Sequence, residues 1–153
     1  MNSIALPHSC SSTSLESGHV VLLKQTGLIS LEGDDAIRFI HGQLSNDIEH
    51  LGADQARLAS WCNHQGRMLA LFHVWKSAGK VWLTVPLDIL AAIQKRLQMY
   101  ILRAKVTLAD ESGNMSILGI GGEKGGKALS GWFETLPAEP FGKTENEYGV
   151  LVR

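Results

Sequence analysis

The chain has only two cysteines and no long apolar run, and each shortage removes a class of protein from consideration. Cys10, in a serine-rich stretch, and Cys62, in an expected strand, make no disulfide framework and suit a reducing compartment. No apolar stretch approaches the roughly 18 residues that span a bilayer. The amino terminus lacks the basic segment and apolar core of a secretory signal. Asn114-Met115-Ser116 is therefore read as a chance glycosylation sequon, and the protein is expected in the cytoplasm. An excess of charge is lacking as well: 14 basic residues stand against 15 acidic ones, leaving no overall field to gather nucleic acid or an anionic membrane. Any anion binding is expected to be local.

What is present is ordinary globular material. With 153 residues, 44% hydrophobic and 19% charged, the chain suffices for a domain with a buried core. Residues 1–18 are serine-rich and show no apolar period, which predicts a disordered tail. Residues 20–24 and 28–32 read as short strands around Gly27. Asp34 is the natural N-cap of a short helix with an apolar stripe of Ala36, Ile37, Phe39 and Ile40, ended by Gly42. Runs 55–63 and 67–76 form a hairpin whose tip, His64-Gln65-Gly66, needs glycine. A turn leads to a strand at 81–85. Pro86 and Asp88 then open the clearest helix, with Leu90, Ile93, Leu97 and Tyr100 on one stripe and Gln94, Lys95 and Gln98 facing away. Strand resumes at 105–108 and a boundary falls at 110–113. Beyond it, 115–120, 124–136, 137–149 and 150–152 read as strand, weaker helix, loop and strand.

This order predicts an α+β fold of the split β-α-β type, an antiparallel sheet with helices packed on one face. A first unit is expected over 19–113. A second begins at 114–153 without completing, which predicts that the chain is the front part of a larger protein. Met68, Leu69, Ala70, Leu71, Phe72, Val74 and Trp75 are apolar on both faces of their strand, so that strand is expected to be covered on both sides. Helices on one face supply one cover; the other would be a second subunit, a ligand or a missing domain.

Two polar turns carry the candidate chemistry, because small-molecule sites are apolar walls with a few fixed polar groups. Gly42-Gln43-Leu44-Ser45-Asn46-Asp47 places Gln43, Ser45, Asn46 and Asp47 just after a helix end, able to turn the chain or to hold a ligand's amide or pyrimidine edge. Cys62-Asn63-His64-Gln65-Gly66-Arg67 is a hairpin turn, or part of the same site. With Arg103 and Lys105 beyond the long helix, the two turns are suited to converge on an anionic, planar ligand.

Other motifs fail on specific positions. Gly121-Gly122-Glu123-Lys124-Gly125-Gly126-Lys127 has the spacing of a phosphate loop, but Ala128 offers no hydroxyl for magnesium. Lys124 stands where a dinucleotide fingerprint needs its third glycine. Cys62 and His64 have no second ligand pair, so no metal site is expected. His41 and His73 are isolated, and no serine lies in a nucleophile elbow. Lys95, Arg96, Arg103 and Lys105 form a loose basic group, either a solvated face or a contact for a phosphate or carboxylate tail.

Leu31-Glu32-Gly33-Asp34-Asp35, Phe39-Ile40-His41-Gly42-Gln43-Leu44-Ser45-Asn46-Asp47, Cys62-Asn63-His64-Gln65-Gly66-Arg67-Met68 and Leu102-Arg103-Ala104-Lys105-Val106 together resemble the folate-binding YgfZ family. Its members are relatives of the glycine-cleavage T protein, an aminomethyltransferase. The likeness runs over about residues 27–136. It implies a tetrahydrofolate-binding protein that supports iron–sulfur cluster assembly or repair and tRNA modification. It also implies a longer chain with antiparallel α+β subdomains around a folate channel and a small carboxy-terminal barrel. The residues it offers for the folate are Gln43, Ser45, Asn46, Asp47, Asn63, Gly66 and Arg67, with Arg103 and Lys105 for the glutamate tail.

Two departures limit the carry-over. Where the T protein has acidic residues, one of which assists transfer at the folate nitrogen, this chain has Ala70 and Leu71. Neither accepts a proton, so aminomethyl transfer by that mechanism is not expected. The family's later Lys-Gly-Cys-Tyr-x-Gly-Gln-Glu block, with its reactive cysteine, does not occur before Arg153, so the chain is expected to lack the main activity. Competing readings are a non-catalytic module that docks an iron–sulfur assembly protein or tRNA, and a genuine aminomethyltransferase.

Overall fold

The computed structural model describes residues 19–153, and the expected tail at 1–18 lies outside the described residues. Its elements are β1 (His19–Leu22), β2 (Thr26–Glu32), α1 (Ala36–His41), β3 (Ala56–Cys62), β4 (Met68–Ser77), β5 (Lys80–Pro86), α2 (Leu87–Gln98), β6 (Thr107–Asp110), β7 (Leu118–Gly121), α3 (Gly122–Leu129), β8 (Lys143–Asn146) and β9 (Gly149–Val152). Five strands pair throughout antiparallel in the order β3-β4-β5-β2-β6. Ile29 and Leu31, Ala59 and Trp61, Ala70, Phe72 and Val74, and Val81, Leu83 and Val85 all point to one side of that sheet. There they meet Ala36 and Ile40 of α1 and Leu90, Ile93 and Leu97 of α2. The fold is therefore α+β with helices on one face, as the pattern of elements predicts.

The long helix follows directly from its sequence. Pro86 closes β5 and precedes the first turn, where the Leu87 N–H donates to the Gln25 carbonyl at 2.8 Å. Asp88 in the first turn and Lys95 and Arg96 in the last oppose the helix dipole. Leu90, Ile93 and Leu97 are buried, each contributing about 1.5–3 kcal/mol. Tyr100, expected to continue that stripe, lies beyond the helix and is half exposed. It sets its ring edge-on to Trp61 at 5.9 Å, which ties the end of α2 to β3.

Several expectations need correction. Gly27 is not between two strands but inside β2, where Leu87 and Leu90 pack so closely that a Cβ would collide with them. Asp35, not Asp34, precedes α1, and its side chain makes no cap bond. Its carboxylate instead accepts the Lys105 N–H at 2.8 Å, while exposed Asp34 pairs with the Lys105 ammonium at 3.2 Å. Lys105 and Val106 precede β6 rather than joining it. The helix expected at 124–136 starts earlier, at Gly122, and ends at Leu129. The expected loop at 137–149 contains β8, which pairs with β9 through a turn in which Gly149 has φ +145°.

The two sides of β4 differ. Ala70, Phe72 and Val74 lie under the helices, whereas Leu71 and His73 on the other side are exposed, as is Met68 at the start of the strand. Side chains leave a strand on alternate sides, so the helices cover one side of this apolar run and the other is the side for which a second subunit, a ligand or a missing domain is expected. Part of the second side is covered. Phe141 accepts the Ala56 N–H at 2.7 Å, and the Lys143 N–H donates to the Asp54 carbonyl at 2.7 Å, seating the β8 region against the start of β3. At the far edge, the Glu111 N–H donates to Leu28 at 2.8 Å and the Ser30 hydroxyl to the Glu111 carboxylate at 3.1 Å. Leu58, Met68 and Leu71 remain exposed on β3 and β4. β1 pairs separately with β7.

Candidate functional site

β3 is an edge strand, and an edge leaves backbone donors and acceptors in need of partners. The first polar turn supplies them. Leu44 bridges to Trp61, the Ser45 N–H donates to the Ser60 carbonyl at 2.9 Å, and the Ser45 hydroxyl accepts the Ser60 N–H at 2.9 Å. One step further, the Asn46 amide donates to the Leu58 carbonyl at 2.9 Å. Arg57 donates to the Asp47 carbonyl. Ser45 and Asn46 therefore build the edge of the sheet, and their polar atoms are largely committed to it.

Asp47 is committed as well. Its carboxylate accepts the His50 N–H at 3.1 Å and lies 2.9 Å from the His50 ring nitrogen. His41 stands 3.4 Å away and Arg57 3.9 Å. The carboxyl is held below the ordinary carboxylate range, chiefly by the His50 backbone N–H, against a smaller opposing effect of burial. The His41 Nδ1 accepts the Ile48 N–H at 3.2 Å, so that ring also shapes the loop.

The second turn is built from Asn63. Its side-chain oxygen accepts the N–H groups of Gln65 and Arg67, each at 2.9 Å, and Gly66 takes φ +77° at the tip. This leaves the Asn63 amide NH2 and the exposed Arg67 guanidinium without side-chain partners among the described residues. Between the two turns, the Ser60 hydroxyl sits 2.8 Å from the Ser45 hydroxyl and 3.7 Å from the Cys62 thiol. Leu58, Ser60 and Cys62 alternate along β3, and Leu58 and Ser60 pair with His73 and Leu71 of β4.

The structure thus ties Ser45, Asn46 and Asp47 along β3 and puts Asn63, Gly66 and Arg67 at its end. It does not bring Lys105 there, because Lys105 is held at the start of α1 by Asp34 and Asp35. Arg103 is exposed, and Gln43 is half buried without a side-chain bond among the described residues. Two open concavities lie elsewhere, around Trp132 and Tyr148 and around Lys24 and Leu87. Sequence reasoning missed Leu58, Ser60 and Arg57 as partners of the first turn. The alternation Leu58, Ser60, Cys62 was the available signal; for the His41–Asp47–His50 cluster no local pattern existed. Among the described residues, no group of three His, Cys, Asp or Glu side chains is placed to hold a metal, and no helix is long and apolar enough to cross a membrane.

The chain is 32% identical over 136 residues to the tRNA-modifying protein YgfZ of Hamiltonella defensa, a match covering 86% of this chain and 39% of that protein. It is 31% identical over 121 residues to the tRNA-modifying protein YgfZ of Serratia proteamaculans, covering 77% and 36% respectively. The chain is a homologue of the YgfZ proteins. It spans well under half the length of these curated relatives. No family profile matches it. In three dimensions this YgfZ homologue superposes on the glycine cleavage system aminomethyltransferase T from Bartonella henselae with a TM-score of 0.69 at 15% identity, over 84% of this chain and 36% of that one. The aminomethyltransferase fold is therefore shared. Of the two places expected to match the T protein's acidic residues, Ala70 is 5% exposed beneath the helices and Leu71 is 48% exposed on the other face. In this YgfZ homologue, neither position presents a carboxylate.

Proposed function

We propose that this YgfZ homologue supplies one wall of a reduced-folate site in a protein of tRNA modification. The observation that carries the reading is that both polar turns attach to β3, whose side away from the helices, with that of β4, exposes Leu58 and Leu71. A flat heterocycle needs such an apolar plane with polar groups at its rim. Of the rim residues, Ser45, Asn46 and Asp47 fit as the frame, since their hydrogen bonds are taken within the chain. Among the described residues, the Asn63 amide NH2 and the Arg67 guanidinium have no side-chain partner and are offered to the ligand. Arg67 and Arg103, which have no acidic partner among the described residues, are the cations assigned to a glutamate tail, Lys105 being paired with Asp34. The link to iron–sulfur cluster assembly or repair is supported by the family resemblance alone.

Calorimetric titration of the 153-residue chain with tetrahydrofolate tests the reading. Saturable binding that weakens in Arg67→Ala is expected. Absence of heat up to the solubility limit of the ligand overturns it.

A further inference from the structure

A cavity of about 410 Å³ opens between the segment after α3 and the turn of the β8–β9 hairpin, away from the proposed folate wall. Trp132 and Tyr148 line it, and they are 63% and 64% exposed. Their ring centroids are 5.6 Å apart and their planes meet at 54°, so the two rings pack against each other as a tilted pair whose outer faces stay exposed. Asn146 fixes both: its amide donates to the Trp132 carbonyl at 2.7 Å, and its side-chain oxygen accepts the Tyr148 N–H at 2.9 Å. Buried Phe133 anchors the neighbouring wall.

The charge of the lining has one sign. Glu134, Glu145 and Glu147 line the cavity and no lysine or arginine does. Glu145 is neutralised by the Lys143 ammonium at 2.7 Å, whose side chain is 1% exposed. Glu134 and Glu147 have no ion-pair partner among the described residues. Aromatic faces attract cations through their quadrupole, and exposed aromatic surface of this kind marks binding sites. Anions are disfavoured here by the carboxylates, which favour a cation.

We propose that this cavity binds an organic cation, an alkylated ammonium or a guanidinium, seated against Trp132 and Tyr148 and neutralised by Glu134 and Glu147. The group comes either from a small molecule or from a lysine or arginine side chain of a partner protein. The site is independent of the folate reading.

The test follows the indole N–H resonance of Trp132, assigned with Trp132→Phe, during titration of the whole chain. Tetramethylammonium and arginine amide represent small cations, an arginine-rich peptide represents a partner's side chain, and tert-butanol serves as the neutral control. Saturable shifts are expected with the cations and not with the control. A peptide that binds more tightly than arginine amide assigns the cation to a protein partner; equal binding assigns it to a small molecule. Trp132→Ala and the double variant Glu134→Gln/Glu147→Gln are each expected to weaken binding by roughly threefold or more. Absence of a saturable shift with every cation, an equal shift with tert-butanol, or unchanged affinity in the double glutamine variant overturns the proposal.

Discussion

Ser45 and Ser60 hold each other through backbone and side chain at once: the Ser45 N–H donates to the Ser60 carbonyl at 2.9 Å, the Ser60 N–H donates to the Ser45 hydroxyl at 2.9 Å, and the two hydroxyls meet at 2.8 Å. This clasp closes an exposed sheet edge with a polar turn. Ser45→Ala removes the acceptor for the Ser60 N–H and is expected to cost about 1–2 kcal/mol. A urea midpoint lowered accordingly, with faster amide exchange at Ser60, checks this; an unchanged exchange rate would show that the clasp does not hold in solution.

Ala70 and Leu71 are neighbours on opposite faces of β4. Leu71→Asp is expected to fold with a stability change of only about 0.5 kcal/mol. Ala70→Asp buries an unpaired carboxylate among Trp61 and its neighbours and is expected to lose roughly 3–5 kcal/mol. Thermal unfolding of the two variants side by side decides whether the register of this strand is as described. Equal losses would contradict it.

Gly33 and Gly66 both have positive φ, +126° and +77°, but different surroundings. A Cβ at Gly66 meets nothing within 4 Å, so Gly66→Ala costs about 1–2 kcal/mol for the left-handed backbone alone. At Gly33 a Cβ would strike the Lys105 carbonyl oxygen, which belongs to fixed backbone. Gly33→Ala is expected to cost more than Gly66→Ala and to disturb the Asp35–Lys105 contact. Denaturation midpoints in which Gly66→Ala is the worse of the two would refute that ranking.

Among the described residues, Asp47 is one of three carboxylates, with Glu111 and Glu145, whose lowered pKa ties stability to the acid range. Its folded pKa is lowered from the ordinary value of 3.8, so the stabilisation is fully present above that value and is lost as pH falls through the folded pKa. Below pH 3.8 the unfolded chain takes up the proton first, and the folded state loses its advantage. Asp47→Asn is expected to flatten this part of the stability curve and to leave its shape at higher pH unchanged. Urea midpoints measured down the acid limb provide the check, and parallel curves for the two proteins would exclude Asp47 as the source.

Where neighbours in sequence settle the geometry, the sequence was legible. Asn63 and Gly66 needed only their own backbone to make the turn, and the stripe of Leu90, Ile93 and Leu97 needed only helical spacing. The resemblance blocks also pointed to the YgfZ proteins to which the chain is similar, because motif residues carry that information without a structure. The apolar run of β4 signalled a side that the helices leave uncovered, but which residues occupy it was not legible, since a run such as Met68–Phe72 is apolar whichever way each side chain points. Nor was β8: its Lys143, Glu145 and Asn146 read as loop, and strand conformation there is stabilised by pairing with β9.

Composition and periodicity alone determined an α+β domain, its long helix and its glycine-tipped hairpin; its kinship came from the resemblance of its motif blocks. Only the tertiary structure decided which polar groups remain free. Asn46 and Asp47 look available as a string of letters but are taken up by Leu58 and His50, while Arg67 has no side-chain partner among the described residues. The physical reason is that a side chain's hydrogen-bonding capacity is fixed by residue type, whereas its use depends on partners brought near by folding, such as Leu58, twelve positions beyond Asn46.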